Sequence, residues 1–386
     1  METNKPNPTL QRSKGSAFPP LLSLTPYKFL PPTNGGHLGL ALVHRSLAKF
    51  CDDQVVGTEN NVPAGEPFTF HPLFAAGPAH YLPLQYDSAL VKLGKEKGVG
   101  AVLCEHPYMA VTAQRVARQL GVKWFLRSHN IESQRFRGQG RKWWPILAAY
   151  EKWAMQRSAG TFFVTAEDAQ WAVENWKLLA LKCHIAPYGT PLAAVPGSID
   201  NENKKKALAQ SLGLNPNVPW FYFLGALDYG PNVEALQCIV TEVLPRLRAT
   251  GQPFEMLLAG KGLSPELAAV AKAAGICITG FLPSLDYFLL AVDVMLNPVL
   301  SGGGIKTKAV EALSWGNRVA SCESGAAGLV QSVCGGALRV SADRDWETFA
   351  QDALLLAKST VTVPPAFYDF YNLDAVAKTM LETMYL

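Results

Sequence analysis

The chain lacks any pair of cysteines spaced as CxxC. Its seven cysteines, Cys51, Cys104, Cys183, Cys238, Cys277, Cys322 and Cys334, stand singly and are odd in number, which argues for reduced core thiols in a cytoplasmic protein and against a disulfide frame or a zinc site. No apolar run approaches the ~20 residues that cross a bilayer, and the polar start METNKPNPTLQRSKGS has no apolar core of a secretory leader. Net charge is small: 35 Lys and Arg against 31 Asp and Glu give +4 over 386 residues. With no arginine-rich tail, charge gives no reason to expect a nucleic-acid partner. A P-loop is missing too, because Lys308 follows Thr307 and precedes Ala309 where glycine and Ser or Thr are needed. Asn34-Gly35-Gly36-His37-Leu38-Gly39 has asparagine in place of the first glycine of a dinucleotide fingerprint. Neither an ATPase nor a dehydrogenase is expected.

What the chain does have is apolar material for two cores, 48% of its residues. Short apolar runs alternate with amphipathic segments of helical length, the pattern of parallel sheets covered on both faces. Strands are expected at Leu21 to Thr25, Val99 to Leu103, Trp124 to Leu126 and Thr161 to Val164. After a turn-rich stretch from Tyr188 to Pro219 the pattern restarts, with strands at Phe221 to Leu224, Met256 to Ala259, Ile276 to Ile278, Val294 to Leu296 and Arg318 to Ser321. The segment from about 52 to 80 shows no periodicity and reads as loop with a short hairpin. The fold class is therefore α/β, two Rossmann-like doubly wound domains facing a cleft. Expected limits are a mobile tail over 1–20, a first domain over 21–190, a linker over 191–218 and a second domain over 219–365.

One stretch concentrates chemistry. From Leu296 to Leu329, LNPVLSGGGIKTKAVEALSWGNRVASCESGAAGL reads as strand, glycine turn, helix, strand and second glycine turn. Gly302, Gly303 and Gly304 allow φ > 0, so backbone N–H groups and the positive end of the following helix converge on an anion. Lys306 adds positive charge; Lys308 reads equally as a second cation or as a solvated helix face. Glu311, one turn on, is a carboxylate able to accept both hydrogen bonds of a ribose diol. Phosphate donors followed by a diol acceptor suggest a nucleotide.

These residues, with Phe223 to Leu236 (FLGALDYGPNVEAL), Leu257 to Gly262 (LLAGKG) and Thr279-Gly280-Phe281-Leu282, resemble the C-terminal domain of group 1 (family four) retaining glycosyltransferases of GT-B architecture. In the first half Thr33-Asn34-Gly35-Gly36, Glu105-His106-Pro107, Ser128-His129-Asn130-Ile131-Glu132, Tyr150-Glu151 and Pro187-Tyr188-Gly189-Thr190 fit the same family. The resemblance implies that Glu311 grips the ribose, that Gly302 to Gly304 with Lys306 hold the diphosphate, and that Lys261 lies near the nucleotide. It further implies that Gly280 and Phe281 meet the base, that His129 stands near sugar and acceptor, and that Gly35 and Gly36 let the N-terminal loop approach the donor. His37, His44, His106 and His184 read as structural, with His106 at a strand end left open. A helix over 366–386 is expected to return to the first domain.

Two departures stand out. Gly303 occupies the position of the first of two glutamates found in many relatives, and Gly225 to Gly230 (GALDYG) carries no Arg or Lys where relatives clamp phosphates. The resemblance implies transfer of a sugar from a nucleoside diphosphate, UDP or GDP type, to a hydroxyl of a sugar, lipid-linked or protein acceptor. His129 and Lys306 would be catalytic, and no metal or other cofactor is expected, since lysine and helix dipole can stabilise the leaving diphosphate. The alternatives are a degenerate protein that binds a nucleotide sugar or a partner without turnover, and a sugar-nucleotide epimerase. Residues 135–157 interleave Arg and Lys with Phe136, Trp143, Trp144 and Trp153, which reads either as a peripheral contact with the inner membrane face or as tryptophans packed inside with solvated charges.

Overall fold

The computed structural model describes residues 17–77, 81, 84–197, 201–282 and 285–386. It divides into two compact units, Met1–Pro187 with Leu373–Leu386, and Tyr188–Asn372. The first unit is built on strands β1 (Leu21–Leu24), β2 (Asp53–Thr58), β3 (Thr69–Phe74), β4 (Ala101–Glu105), β5 (Lys123–Ser128), β6 (Gly160–Phe163) and β7 (Cys183–Ile185). They form one parallel sheet in the order β3-β2-β1-β4-β5-β6-β7. Every residue of β1, β2, β4 and β6 is buried, as helices on both faces of a parallel sheet require.

Residues 52–80 are not a loop with a hairpin. They supply β2 and β3, which pair in parallel. The polar residues that hide β2 are satisfied inside the fold: Asp53 accepts from Ser23 Oγ (2.6 Å) and lies 2.7 Å from His44 Nδ1, and Gln54 Oε1 lies 2.8 Å from His71 Nε2. β3 is the edge strand, where Pro72 costs no central ladder bond. Residues 1–16 of the expected tail lie outside the described residues; Ala17 and Phe18 already donate to the Phe50 carbonyl.

Instead of one helix over 366–386 there are two, Pro365–Tyr371 and Leu373–Tyr385, separated by an extended Asn372. Leu373, Val376, Ala377, Met380, Leu381 and Met384 recur at helical spacing and pack on Leu21, Ala101, Leu103 and Phe125 of the first sheet. The second helix thus covers one face of the unit to which the first strand belongs.

The second unit carries β8 (Trp220–Ala226), β9 (Glu255–Lys261), β10 (Cys277–Gly280), β11 (Val294–Asn297), β12 (Arg318–Cys322) and β13 (Leu338–Ser341), parallel in the order β10-β9-β8-β11-β12-β13. Within residues 191–218 a helix, Asn201–Leu212, is held by Lys205, which donates to Asp293 (2.7 Å) and to the Val218 carbonyl. Strand order reverses between β1 and β4 in one sheet and between β8 and β11 in the other. Ligands of doubly wound sheets bind beyond the carboxyl ends of strands at such points. No helix among the described residues is long and apolar enough to cross a membrane.

Candidate functional site

Beyond β11 the chain turns through Gly302 and Gly304, at φ 89° and 68°, into the helix Thr307–Ser314. A Cβ on Gly302 would lie 3.4 Å from Tyr229 Oη and from Pro231, so the glycine turn rests against the loop leaving β8. The two strand ends of the switch point meet there.

Lys306 folds back on the turn, its Nζ donating to the carbonyls of Gly302 (2.6 Å) and Gly304 (3.1 Å). Lys308 is not on a solvated helix face. Its Nζ lies 4.3 Å from the centre of the Phe223 ring and donates to Asn232 Oδ1 at 2.5 Å, while Asn232 Nδ2 donates to the Ala226 carbonyl at the end of β8. Burial, with Lys306 nearby, pushes the Lys308 ammonium down to about 7. Glu311 follows three residues later, and its side-chain carboxyl has no hydrogen-bond or ion-pair partner among the described residues. Burial, reinforced by Asp286, pushes its carboxyl up to about 7.

The remaining sequence candidates of this unit lie on the other side of β8. Lys261 ends β9 with an exposed side chain, beside a Gly262 whose Cβ would strike Asp228. Gly280, at φ 73°, ends the edge strand β10, and Phe281 is 63% exposed. The chain also contains an Asp-x-Asp triplet, Asp343-Arg344-Asp345, a spacing that can hold a divalent ion. Here Asp343 accepts from Ser324 N and Oγ, and Asp345 caps the helix Trp346–Lys358 through Thr348 N. Among the described residues no cluster of three His, Cys, Asp or Glu is placed to hold a metal.

The first unit builds a second cluster at the carboxyl ends of β1, β4 and β5. His129 Nε2 lies 2.6 Å from Glu105 Oε2, which Arg127 also reaches at 3.4 Å. His44 Nε2 is 3.6 Å from the other Glu105 oxygen. Burial pushes Glu105 up, but Arg127, His129 and His44 outweigh it and hold the carboxyl well below the usual range. As an acceptor-only carboxylate Glu105 fixes the His129 proton on Nε2 and leaves Nδ1 an acceptor. Burial, His106 and Arg127 push the His129 ring down to about 3.

His106 belongs to this cluster. Its ring stacks on His129 at 4.0 Å with an interplanar angle of 10°, Tyr27 Oη lies 2.7 Å from its Nε2, and its φ is 64°. Glu132 closes the group, accepting from Tyr108 Oη (2.7 Å) and from Arg135 (2.6 Å). Gly35 and Gly36 begin the helix Gly35–Leu47, capped by Asn34 Oδ1 accepting from His37 N, and the His37 ring lies 5.9 Å from Tyr27. Sequence reasoning missed Tyr27, Glu105, Tyr108 and Asn232 as site residues and left His106 open. The strand-end position of Glu105-His106 was the available signal.

Residues 218–359, all in the second unit, match the family of group 1 glycosyl transferases. A search among curated proteins finds no match. Solved structures similar along nearly the whole chain include a glycosyltransferase from Rickettsia africae (13% identity, TM-score 0.67, covering 95% of this chain and 94% of that one). Another is Anabaena HepE in complex with UDP (14%, TM-score 0.70, 94% and 98%). A third is sucrose-phosphate synthase from Thermosynechococcus elongatus (16%, TM-score 0.64, 95% and 94%). The chain has the GT-B fold, with Rossmann-like sheets of seven and six strands, and its residues 218–359 match the family of group 1 glycosyl transferases.

Proposed function

We propose that the protein transfers a sugar from a nucleoside diphosphate sugar to a hydroxyl acceptor with retention of anomeric configuration. The observation that carries this reading is Glu311, a partly exposed carboxyl with no partner, placed on the helix that the Gly302–Gly304 turn opens. Burial without compensation is costly unless a ligand supplies the missing donors, and a ribose diol supplies two. HepE has been solved with UDP and with UDP-glucose, which supports a UDP-type donor here.

In this reaction the bond from the anomeric carbon to the diphosphate oxygen breaks and its electron pair stays on the diphosphate. The acceptor oxygen bonds the same face of the carbon, and its proton passes to the departing phosphate oxygen. Backbone N–H groups of the glycine turn, the helix end and Lys306 stabilise the charge that builds there. Lys306 must release the Gly302 and Gly304 carbonyls to do so. His129, kept neutral, offers Nδ1 to a sugar hydroxyl. We assign the reaction to the cytoplasm and to a metal-independent mechanism, the charge of the leaving group being met by lysine and helix dipole.

The loop leaving β8, Leu227-Asp228-Tyr229, brings no cation to the turn, which favours as second reading a protein that binds the donor without turnover. A thermal-shift screen of UDP, GDP, dTDP and ADP with their sugars, on wild type and Glu311→Ala, tests donor binding. A shift from one nucleotide that the variant loses supports the donor site, and no shift from any rejects it. Donor hydrolysis and the configuration of the product, read by NMR, then separate transfer from binding alone.

A further inference from the structure

On the first unit the helices Ala110–Leu120 and Trp144–Arg157 flank a surface groove of about 460 Å³, lined by Val111, Gln114, Arg115, Arg118, Trp153 and Arg157. Three guanidinium groups around one groove repel one another, and little in the fold answers them. Arg115 is tied to Asp87 at 2.6 Å. Arg118 and Arg157 are exposed, and their guanidinium groups make no hydrogen bond or ion pair among the described residues. Ala110–Leu120 contains no acidic residue, and the single one in Trp144–Arg157, Glu151, points inward, where it accepts from the backbone N of Glu132 and Ser133.

The groove continues into an apolar strip. A residue advances ~100° around a helix, so Ile146, Tyr150, Trp153 and Arg157 share one face. Ile146 is 75% exposed, and Trp143, one residue before the helix, is 47% exposed. The alternative that both tryptophans pack inside therefore fails for Trp143. Around these apolar groups stand Arg137, stacked over Trp144 at 4.9 Å, and the exposed Arg141 and Lys142.

We propose that this face docks on an anionic phospholipid surface. Headgroup phosphates enter the groove between Arg118 and Arg157, whose planar forks match phosphate oxygens, and Trp143 with Ile146 enters the boundary between headgroups and acyl chains. A free phosphate would account for the groove but not for the apolar residues and further cations on the same helix and the turn before it. The proposal is independent of the transfer reaction, since it concerns where the protein sits and not what it transfers.

Co-flotation of the full chain with vesicles tests it. The protein floats with phosphatidylcholine vesicles containing phosphatidylglycerol and not with phosphatidylcholine alone, and high salt releases it. Each arginine removed weakens partition about 5-fold, so Arg118→Gln with Arg157→Gln lowers it by roughly 25-fold while the melting temperature holds. Trp143→Ser with Ile146→Ser also lowers it. Lys92→Gln with Lys378→Gln, at two exposed lysines elsewhere on the unit, leaves it unchanged. Equal binding to neutral and anionic vesicles, equal loss in the lysine control, or protection of the groove by inorganic phosphate without vesicle binding overturns the proposal.

Discussion

Asn232 joins the end of β8 to the helix Thr307–Ser314: its Oδ1 accepts from Lys308 at 2.5 Å, and its Nδ2 donates to the Ala226 carbonyl at 2.8 Å. A cation on the helix that follows the glycine turn is thereby tied to the end of β8. Lys308→Met keeps the length of the side chain and removes a buried ammonium already pushed toward neutrality. Its stability should equal or exceed that of wild type, the relieved desolvation outweighing the unpaired Asn232 Oδ1, while affinity for a nucleoside diphosphate falls about 10- to 100-fold, in line with ~1.5–3 kcal/mol for a charged hydrogen bond. Asn232→Ala should do the reverse in stability, losing about 1–3 kcal/mol because two partners are left unpaired. Denaturant titration and calorimetry read both. Undiminished affinity in Lys308→Met would remove Lys308 from the binding site.

Glu311 gives a pH dependence with a definite sign. Its folded carboxyl is raised to about 7, so between the ordinary carboxyl range and neutral pH the folded chain keeps a proton that the unfolded chain has released. Stability therefore falls as pH rises through that window. Glu311→Gln should melt higher than wild type at about pH 8 and no differently at about pH 4. A diol favours the carboxylate and so expels the Glu311 proton, whereas a diphosphate favours the Lys308 ammonium and takes one up. Calorimetry in buffers of different ionisation enthalpy should show proton release on donor binding by Lys308→Met. Glu311→Gln can show only residual, weak binding with proton uptake. The same sign of proton exchange in both variants would contradict these assignments.

The parts of this protein that were legible in the sequence are those written in consecutive residues. β1, β4, β8 and β11 are apolar runs buried on both faces, and the Gly302–Gly304 turn with Lys306 and Glu311 lies within ten residues. β2 was hidden because its polar side chains find partners on β1, on the helix Gly35–Leu47 and on the edge strand. The histidine cluster was hidden for a related reason: Tyr27, His106 and His129 come from loops after three different strands, and only the strand order β1-β4-β5 brings them together. The direction of Lys308 depended on Asn232, seventy-six positions away. No local pattern carries that information.

Glu105 is a positioning residue for His129. Replacing it by glutamine preserves its shape but leaves the buried Arg127 guanidinium without a counter-charge, a change expected to cost about 3–5 kcal/mol. The weaker probe is His129→Gln. Because the folded imidazole is pushed down to about 3, the unfolded chain gains a proton there first, so the stability it contributes is present above the ordinary histidine range and is lost as pH falls through and below it. His129→Gln should flatten that part of the stability profile and lower kcat by about 100-fold if the ring handles a sugar hydroxyl. A flattened profile with unchanged kcat would leave His129 a structural residue.

Gly260 tests how close β8 and β9 must come before the proposed donor site can form. At φ 149° a Cβ there would stand 1.9 Å from the Gly225 carbonyl oxygen, a backbone atom that cannot swing aside. The next residues on each strand are Lys261 and Ala226, and Leu227 N donates to the Lys261 carbonyl at 2.7 Å. Gly260→Ala must therefore push the ends of both strands apart, and with them the Ala226 carbonyl that anchors Asn232. A loss of about 3 kcal/mol or more is expected, at the upper end for single substitutions. Nucleotide affinity should fall even at low temperature, where the variant is still folded. Ala226→Gly, on the same strand end but without the clash, should leave affinity near that of wild type. Equal affinity in Gly260→Ala and wild type would show that the spacing of β8 and β9 serves packing alone.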